Sequence, residues 1–211
     1  MNLLFDLDGT LTDPQQGIVA CIRYALRKLD IEVATDIRLE SYIGPPLRDS
    51  FRSLCGGDDD VEAAVAFYRE RFATTGLFEN RVYDGIPLCL ELLQARAESI
   101  HLATSKPTIY AERIIQHFGL ERFFDGVYGS QLDGRLGDKT ELIEHILKRE
   151  KLNAANTIMI GDRSFDMVGA RNNNVTAIGV LWGYGSEAEL GLAGADRICS
   201  HPASLSDHLL C

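Results

Sequence analysis

Two carboxylates separated by one residue, Asp6 and Asp8, follow the apolar run Leu3-Leu4-Phe5 and precede Gly9 and Thr10. Alternation along a strand would turn both carboxylates to one side. Like charges so close are costly unless a cation neutralises them or one keeps its proton. The pair points to a divalent-metal site with one Asp as nucleophile and the other as acid/base. The plain alternative is a solvated acidic turn after an edge strand.

Other chemistry-bearing residues recur where apolar runs stop. Ile100-His101-Leu102-Ala103 ends at Thr104 and Ser105, and Thr157-Ile158-Met159-Ile160 ends at Gly161-Asp162-Arg163-Ser164-Phe165-Asp166. Lys139 begins the helical pattern before the second of these runs. In open parallel sheets, ligands bind outside the carboxyl ends of the strands. Carboxylates, hydroxyls and one ammonium are thus offered to the same edge, and this convergence is more specific than any single motif. Each residue also has a plainer reading. Thr104 could simply end a strand, Lys139 could be solvated at a helix start, and Asp166 could anchor its own helix. Asp138 suits a helix N-cap, Asp13 reads as structural, and Lys106 reads as a surface residue.

The elements that must hold these residues alternate in period. Residues 14–82 read as almost entirely helical, with Ile18, Cys21, Ile22, Ala25, Leu26 and Leu29 on one face of a first helix. Shorter apolar segments cover 39–43 and 47–54, and Val61, Ala64, Val65, Phe67, Tyr68 and Phe72 mark a longer helix. From Tyr83 onward, helices of about ten residues alternate with strands at 100–103, 123–128, 157–160 and 176–180. Two short helical patterns follow around Ala188 and Leu205. The uninterrupted apolar strands imply a sheet covered on both faces. The expectation is a doubly wound parallel α/β core over residues 1–13 and 83–211, with an inserted helical cap over 14–82.

Composition bounds the rest. The 211 residues are 45% hydrophobic, and 21 Lys and Arg against 31 Asp and Glu give a formal net charge of −10. Such an acidic chain lacks the basic phosphate contacts of sequence-independent nucleic-acid binding. The five cysteines are scattered, without a CxxC pair, which fits free thiols in a reducing cytoplasm; Cys21 and Cys89 lie in apolar helical patterns. The five histidines form no metal-spaced pair. No stretch reads as a signal peptide or a membrane span. Expected partners are small molecules, with no nucleic-acid polymer and no membrane, in a monomer or homodimer.

With these motifs in order, the chain resembles the haloacid dehalogenase superfamily of phosphatases along essentially its whole length. The motifs are Asp6-Leu7-Asp8-Gly9-Thr10, Thr104, Lys139 and Gly161-Asp162-Arg163-Ser164-Phe165-Asp166. The insert after the first motif resembles the C1 type of cap, and FDLDGTLTD, YDGIP, ATSKP and IGDRSFD look most like phosphoglycolate phosphatases and related nucleotidases. The resemblance implies that Asp6 attacks phosphorus and that Asp8 protonates the leaving alcohol and then activates water. It implies that Thr104, with Ser105 and Gly9, holds the phosphate and that Lys139 neutralises it. Magnesium would be held by Asp6, the main-chain carbonyl of Asp8 and Asp162, with Asp166 orienting its waters.

The chain departs from common family patterns at Pro14, Thr140 and Arg163. Substrate choice is expected from the cap, where Ile43-Gly44-Pro45-Pro46-Leu47-Arg48 could present Arg48 to a second anionic group. The expected activity is Mg²⁺-dependent hydrolysis of a small phosphomonoester, phosphoglycolate or a nucleoside 5′-monophosphate. A phosphotransferase or mutase on the same core is the alternative. A receiver domain that accepts phosphate without turnover needs neither Asp8 nor the helical insert.

Overall fold

The computed structural model describes residues 1–32 and 37–210, so the expected free thiol of Cys211 lies outside the described residues. The chain divides into two units, Pro14–Arg81 and the remainder formed by Met1–Asp13 with Val82–Cys211.

The larger unit is built on a six-stranded parallel sheet. Its strands are β1 (Asn2–Phe5), β4 (Ser99–Pro107), β5 (Gly126–Ser130), β6 (Thr157–Gly161), β7 (Thr176–Val180) and β8 (Arg197–Cys199), in the order β5-β4-β1-β6-β7-β8. Short strands β2 (Thr12–Asp13) and β3 (Arg81–Val82) mark where the chain leaves this unit and returns. Every residue of β1 is buried, as the apolar run Leu3-Leu4-Phe5 demands for a central strand. Register is matched on both sides, with Phe5 opposite Leu102 of β4 and Ile160 of β6. The strand ends that follow these three residues therefore lie side by side. Helices α4 (Ile86–Gln94), α5 (Thr108–His117), α6 (Lys139–Glu150), α7 (Ser164–Asn172), α8 (Glu187–Ala193) and α9 (Pro202–Leu210) provide the crossovers and the tail.

One core cluster joins Leu4, Ala103 and Met159 of the sheet to Leu142, Ile143 and Ile146 of α6 and to Met167 and Ala170 of α7. These helical positions recur at three- and four-residue steps, so α6 and α7 bury one face each.

The helical unit contains α1 (Gln15–Lys28), a 3₁₀ turn at Leu39–Tyr42, α2 (Leu47–Cys55) and α3 (Val61–Arg71), which runs into a π turn at Phe72–Gly76. Its interior includes Cys21, Ile22, Phe51, Val65 and Phe72. Tyr68 stacks on Phe72 at 5.3 Å between ring centroids and meets Phe51 edge-on at 6.1 Å, geometries that aromatic quadrupoles favour. Cys21, Cys55, Cys89 and Cys199 are free thiols, and Cys21 and Cys89 are buried as expected.

Some local expectations shift. The strand expected at 123–128 starts only at Gly126, because Glu121–Phe123 closes a 3₁₀ turn. Strand β8, unmarked in the sequence reading, pairs with β7 at the sheet edge.

Candidate active site

Asp6 immediately follows β1, and its N–H donates to the Ile160 carbonyl at 2.9 Å. The chain then turns, with the amides of Thr10, Leu11 and Thr12 all donating to the Leu7 carbonyl. Because β1 stops at Phe5, strand alternation does not govern Asp8. The two carboxylates pair with different cations. Lys139 Nζ lies 2.8 Å from Asp6 Oδ1, whereas Lys106 Nζ lies 2.5 Å from Asp8 Oδ2. Gly9 completes the turn at φ +85°, and a Cβ there would collide with the Asp162 carboxylate. Glycine alone meets both demands.

Lys139 is delivered by its helix start. Asp138 caps α6 by accepting the N–H groups of Thr140 at 2.8 Å and Glu141 at 3.2 Å. This places Lys139 first in the helix, buried, with its ammonium 2.6 Å from both the Ala103 carbonyl and Asp166 Oδ1. One cation thus ties together the ends of β1 and β4 and the start of α7.

Asp162 and Asp166 flank the start of α7. Asp162 is fully buried; Oδ1 accepts the Thr10 hydroxyl at 3.3 Å and Oδ2 accepts the Tyr184 amide at 2.8 Å. Asp166 Oδ2 accepts the Arg163 N–H at 3.1 Å, so it both anchors its helix and faces Lys139. Asp13, read as structural, accepts a hydrogen bond from the Tyr184 hydroxyl.

Electrostatics concentrate here. Burial, with Asp6 and Asp166 nearby, holds the Asp162 carboxyl well above the usual carboxylate range. Burial also raises Asp166, to about 6; Lys139 opposes the rise and Asp6 adds to it. Asp8 is raised by burial and by Asp6 against the pull of Lys106. Burial works to lower Lys139, but Asp166 and Asp6 outweigh it and the ammonium is held above its ordinary value. With all four carboxyls ionised, as a bound cation would favour, Asp6, Asp8, Asp162 and Asp166 would exceed the ammonium groups of Lys106 and Lys139 by two negative charges. Oxygens of Asp6, Asp162 and Asp166 all lie within 4.8 Å of one another. Three hard carboxylates this close, with negative charge to spare, fit a divalent cation.

Thr104 is buried where β4 ends its regular pairing, and its hydroxyl accepts the Lys106 N–H at 3.2 Å. The Ser105 carbonyl accepts the Ser130 hydroxyl at 2.8 Å. Arg48 lies in the helical unit, held by Glu62 in a forked ion pair at 2.6 and 3.2 Å.

Lys106 corrects the sequence reading. Its side chain is only 6% exposed and pairs with Asp8, because the irregular end of β4 turns it inward. The sequence reading also passed over Trp182, whose Nε1 donates to the Thr10 carbonyl at 2.9 Å, and Tyr184. The only signal for Lys106 was its place two residues beyond Thr104 in the same strand.

Residues 3–180 match the family model of haloacid dehalogenase-like hydrolases. A 5′-nucleotidase of Pseudomonas aeruginosa is 48% identical over 97% of this chain and 93% of its own length. The tyrosine-protein kinase PtkA of Mycobacterium tuberculosis is 34% identical over 97% of this chain and 70% of its own. The crystal structure of a predicted phosphatase from Clostridium acetobutylicum superposes with a TM-score of 0.94 at 40% identity, covering 99% of this chain and 97% of the other. The strand order, the acid cluster and these likenesses agree, and the chain belongs to the haloacid dehalogenase-like hydrolase family.

Proposed function

We propose that this phosphatase hydrolyses nucleoside 5′-monophosphates or a similarly small phosphomonoester through an aspartyl-phosphate on Asp6, with Mg²⁺ as its cofactor. The observation that supports this most is the buried group of Asp6, Asp162 and Asp166 around the Lys139 ammonium. Asp6 attacks phosphorus, and Asp8 gives a proton to the departing alcohol. In the second step Asp8 takes a proton from the water that releases phosphate from Asp6. The Thr104 hydroxyl, with Ser105 and Gly9, holds the phosphoryl oxygens, and Lys139 offsets their charge. Asp6, Asp162 and the Asp8 main-chain carbonyl would hold Mg²⁺, with Asp166 beside it. When bound there, the ion would supply charge stabilisation to the transferring group.

The 48% identity to a 5′-nucleotidase favours a nucleotide over phosphoglycolate. Transfer to an acceptor other than water is the second reading, favoured by the relative named a kinase. In this proposal residues 14–82 act as the cap that selects the substrate. Phosphate release from a panel of nucleoside 5′-monophosphates, phosphoglycolate and sugar phosphates, with Mg²⁺ or with chelator, tests the reading. Release from a nucleotide in Mg²⁺, and none in chelator, is expected. Absence of turnover on every phosphomonoester overturns it.

A further inference from the structure

Lys106 has no part in the roles just proposed, yet its pair with Asp8 is among the most enclosed ion pairs of the described residues. The two side chains are 6% and 14% exposed, and the Lys106 ammonium lies 2.5 Å from Asp8 Oδ2. The other oxygen, Asp8 Oδ1, is buried with no hydrogen-bond partner among the described residues. A buried carboxylate oxygen left unpaired is costly, so a carboxylate held by one oxygen with the other open is set for an incoming group.

The backbone is arranged to produce this. The ladder between β4 and β5 slips between Thr104 and Pro107, so the partner of Thr104 is Gly129 and that of Pro107 is Ser130. Such an irregularity re-aims side chains at a sheet end. Here the Thr104 hydroxyl accepts the Lys106 N–H, and the Ser130 hydroxyl grips the Ser105 carbonyl. Behind the bulge, a Cβ on Gly129 would strike the Lys106 carbonyl, so glycine lets the two strands close on each other. The phosphate-facing hydroxyl and the Lys106 ammonium are thus fixed by the same turn.

We propose that Lys106 is a positioning residue that holds Asp8 by Oδ2 so that Oδ1 is presented to the leaving-group oxygen. This rests on the reading of Asp8 as the acid, and it adds a residue which that reading did not require. The ammonium does not touch the reacting bond. It fixes the rotamer of the carboxylate that does, and a carboxylate free to turn would meet the leaving oxygen less often in the right geometry.

The prediction concerns how the rate depends on the leaving group. A departing oxygen that is already a good leaving group needs no proton, while a poor one does. The experiment compares wild type, Lys106→Met, Lys106→Arg and Asp8→Asn on substituted phenyl phosphates, running from p-nitrophenyl to unsubstituted phenyl phosphate. Melting temperatures are recorded alongside. Lys106→Met is expected to lose about tenfold more rate on phenyl than on p-nitrophenyl phosphate. Asp8→Asn is expected to show the same trend more strongly, and Lys106→Arg to return toward wild type. If Asp8→Asn becomes steeply dependent on the leaving group while a folded Lys106→Met keeps the wild-type dependence, Lys106 does not position the acid. If Asp8→Asn itself keeps the wild-type dependence, the assignment of Asp8 as the acid fails, and this proposal with it. Should Lys106→Met fail to fold, the same comparison is read from Lys106→Gln.

Discussion

The two units of the chain differ in their ion pairs, and the most enclosed ones among the described residues belong to the sheet unit. In the sheet unit, Lys139 is 4% exposed against Asp166 at 1%, and Lys106 at 6% faces Asp8 at 14%. In the helical unit, Arg48–Glu62 and Arg52–Asp58 lie at the surface, with the acids 69% and 78% exposed. Exposed pairs are screened and contribute little. Enclosed pairs cost desolvation that they only partly regain, so their presence calls for a reason other than stability. The sheet unit tolerates that cost in order to do chemistry, while the helical unit takes its stability from aromatic and aliphatic packing.

This contrast can be broken in a graded way. The largest effect is expected for Asp6→Asn, which removes the proposed nucleophile. Phosphate release and ³²P labelling of the protein should both vanish while the circular dichroism spectrum is retained; comparable turnover would undo the assignment. Next comes Lys139→Met, which leaves Asp6 and Asp166 facing each other uncompensated. Urea unfolding without metal should show a loss of about 3–5 kcal/mol, and a loss under 1 kcal/mol would mean that the ammonium is dispensable to the fold.

A smaller effect is expected at His101, buried on β4 opposite Gly126 of β5, with Nε2 3.0 Å from the Ser99 hydroxyl. Burial lowers its pKa, with Glu150 and Asp125 opposing. The unfolded chain therefore binds the proton more readily, and folding stability should fall as pH drops below the ordinary histidine value of 6.5. His101→Gln should flatten that part of the stability–pH curve, and an unaltered slope would remove His101 from the account. Smallest is Glu62→Ala, which removes the forked ion pair with Arg48 at the surface. No measurable change in melting temperature is expected, and a drop of several degrees would show the helical unit to be less different than its exposure suggests.

The site residues marked by strand ends were legible because the apolar runs carry their own register. Phe5, Leu102 and Ile160 had to sit side by side in a covered parallel sheet, and whatever followed them had to share an edge. Asp138 was legible as a cap for a local reason, since an Asp before a helical pattern satisfies exposed amides. Lys106 was not, because its inward turn depends on a bulge held by Ser130 and Gly129, residues more than twenty positions away. The same holds for Trp182 and Tyr184, whose partners Thr10 and Asp162 come from distant turns. Strand β8 escaped because Arg197–Cys199 is three residues long and carries no run of its own.

The central position of β1 has a consequence for how the molecule is made. Both neighbours of this first strand come late in the chain, β4 beginning at Ser99 and β6 at Thr157. Asp6 meets Lys139 across 133 residues and Thr10 meets Asp162 across 152. Contacts of such long range form slowly, since the chain entropy of closing the loop is lost before the pairing repays it. On a ribosome the amino-terminal strand would emerge first and be among the last to find its place, once the β6 segment had left the exit tunnel. A chain cut before Lys139 would hold Asp6 but not Lys139, Asp162 or Asp166. On the proposed roles, the acid cluster is thereby completed only once the chain has been made through Asp166.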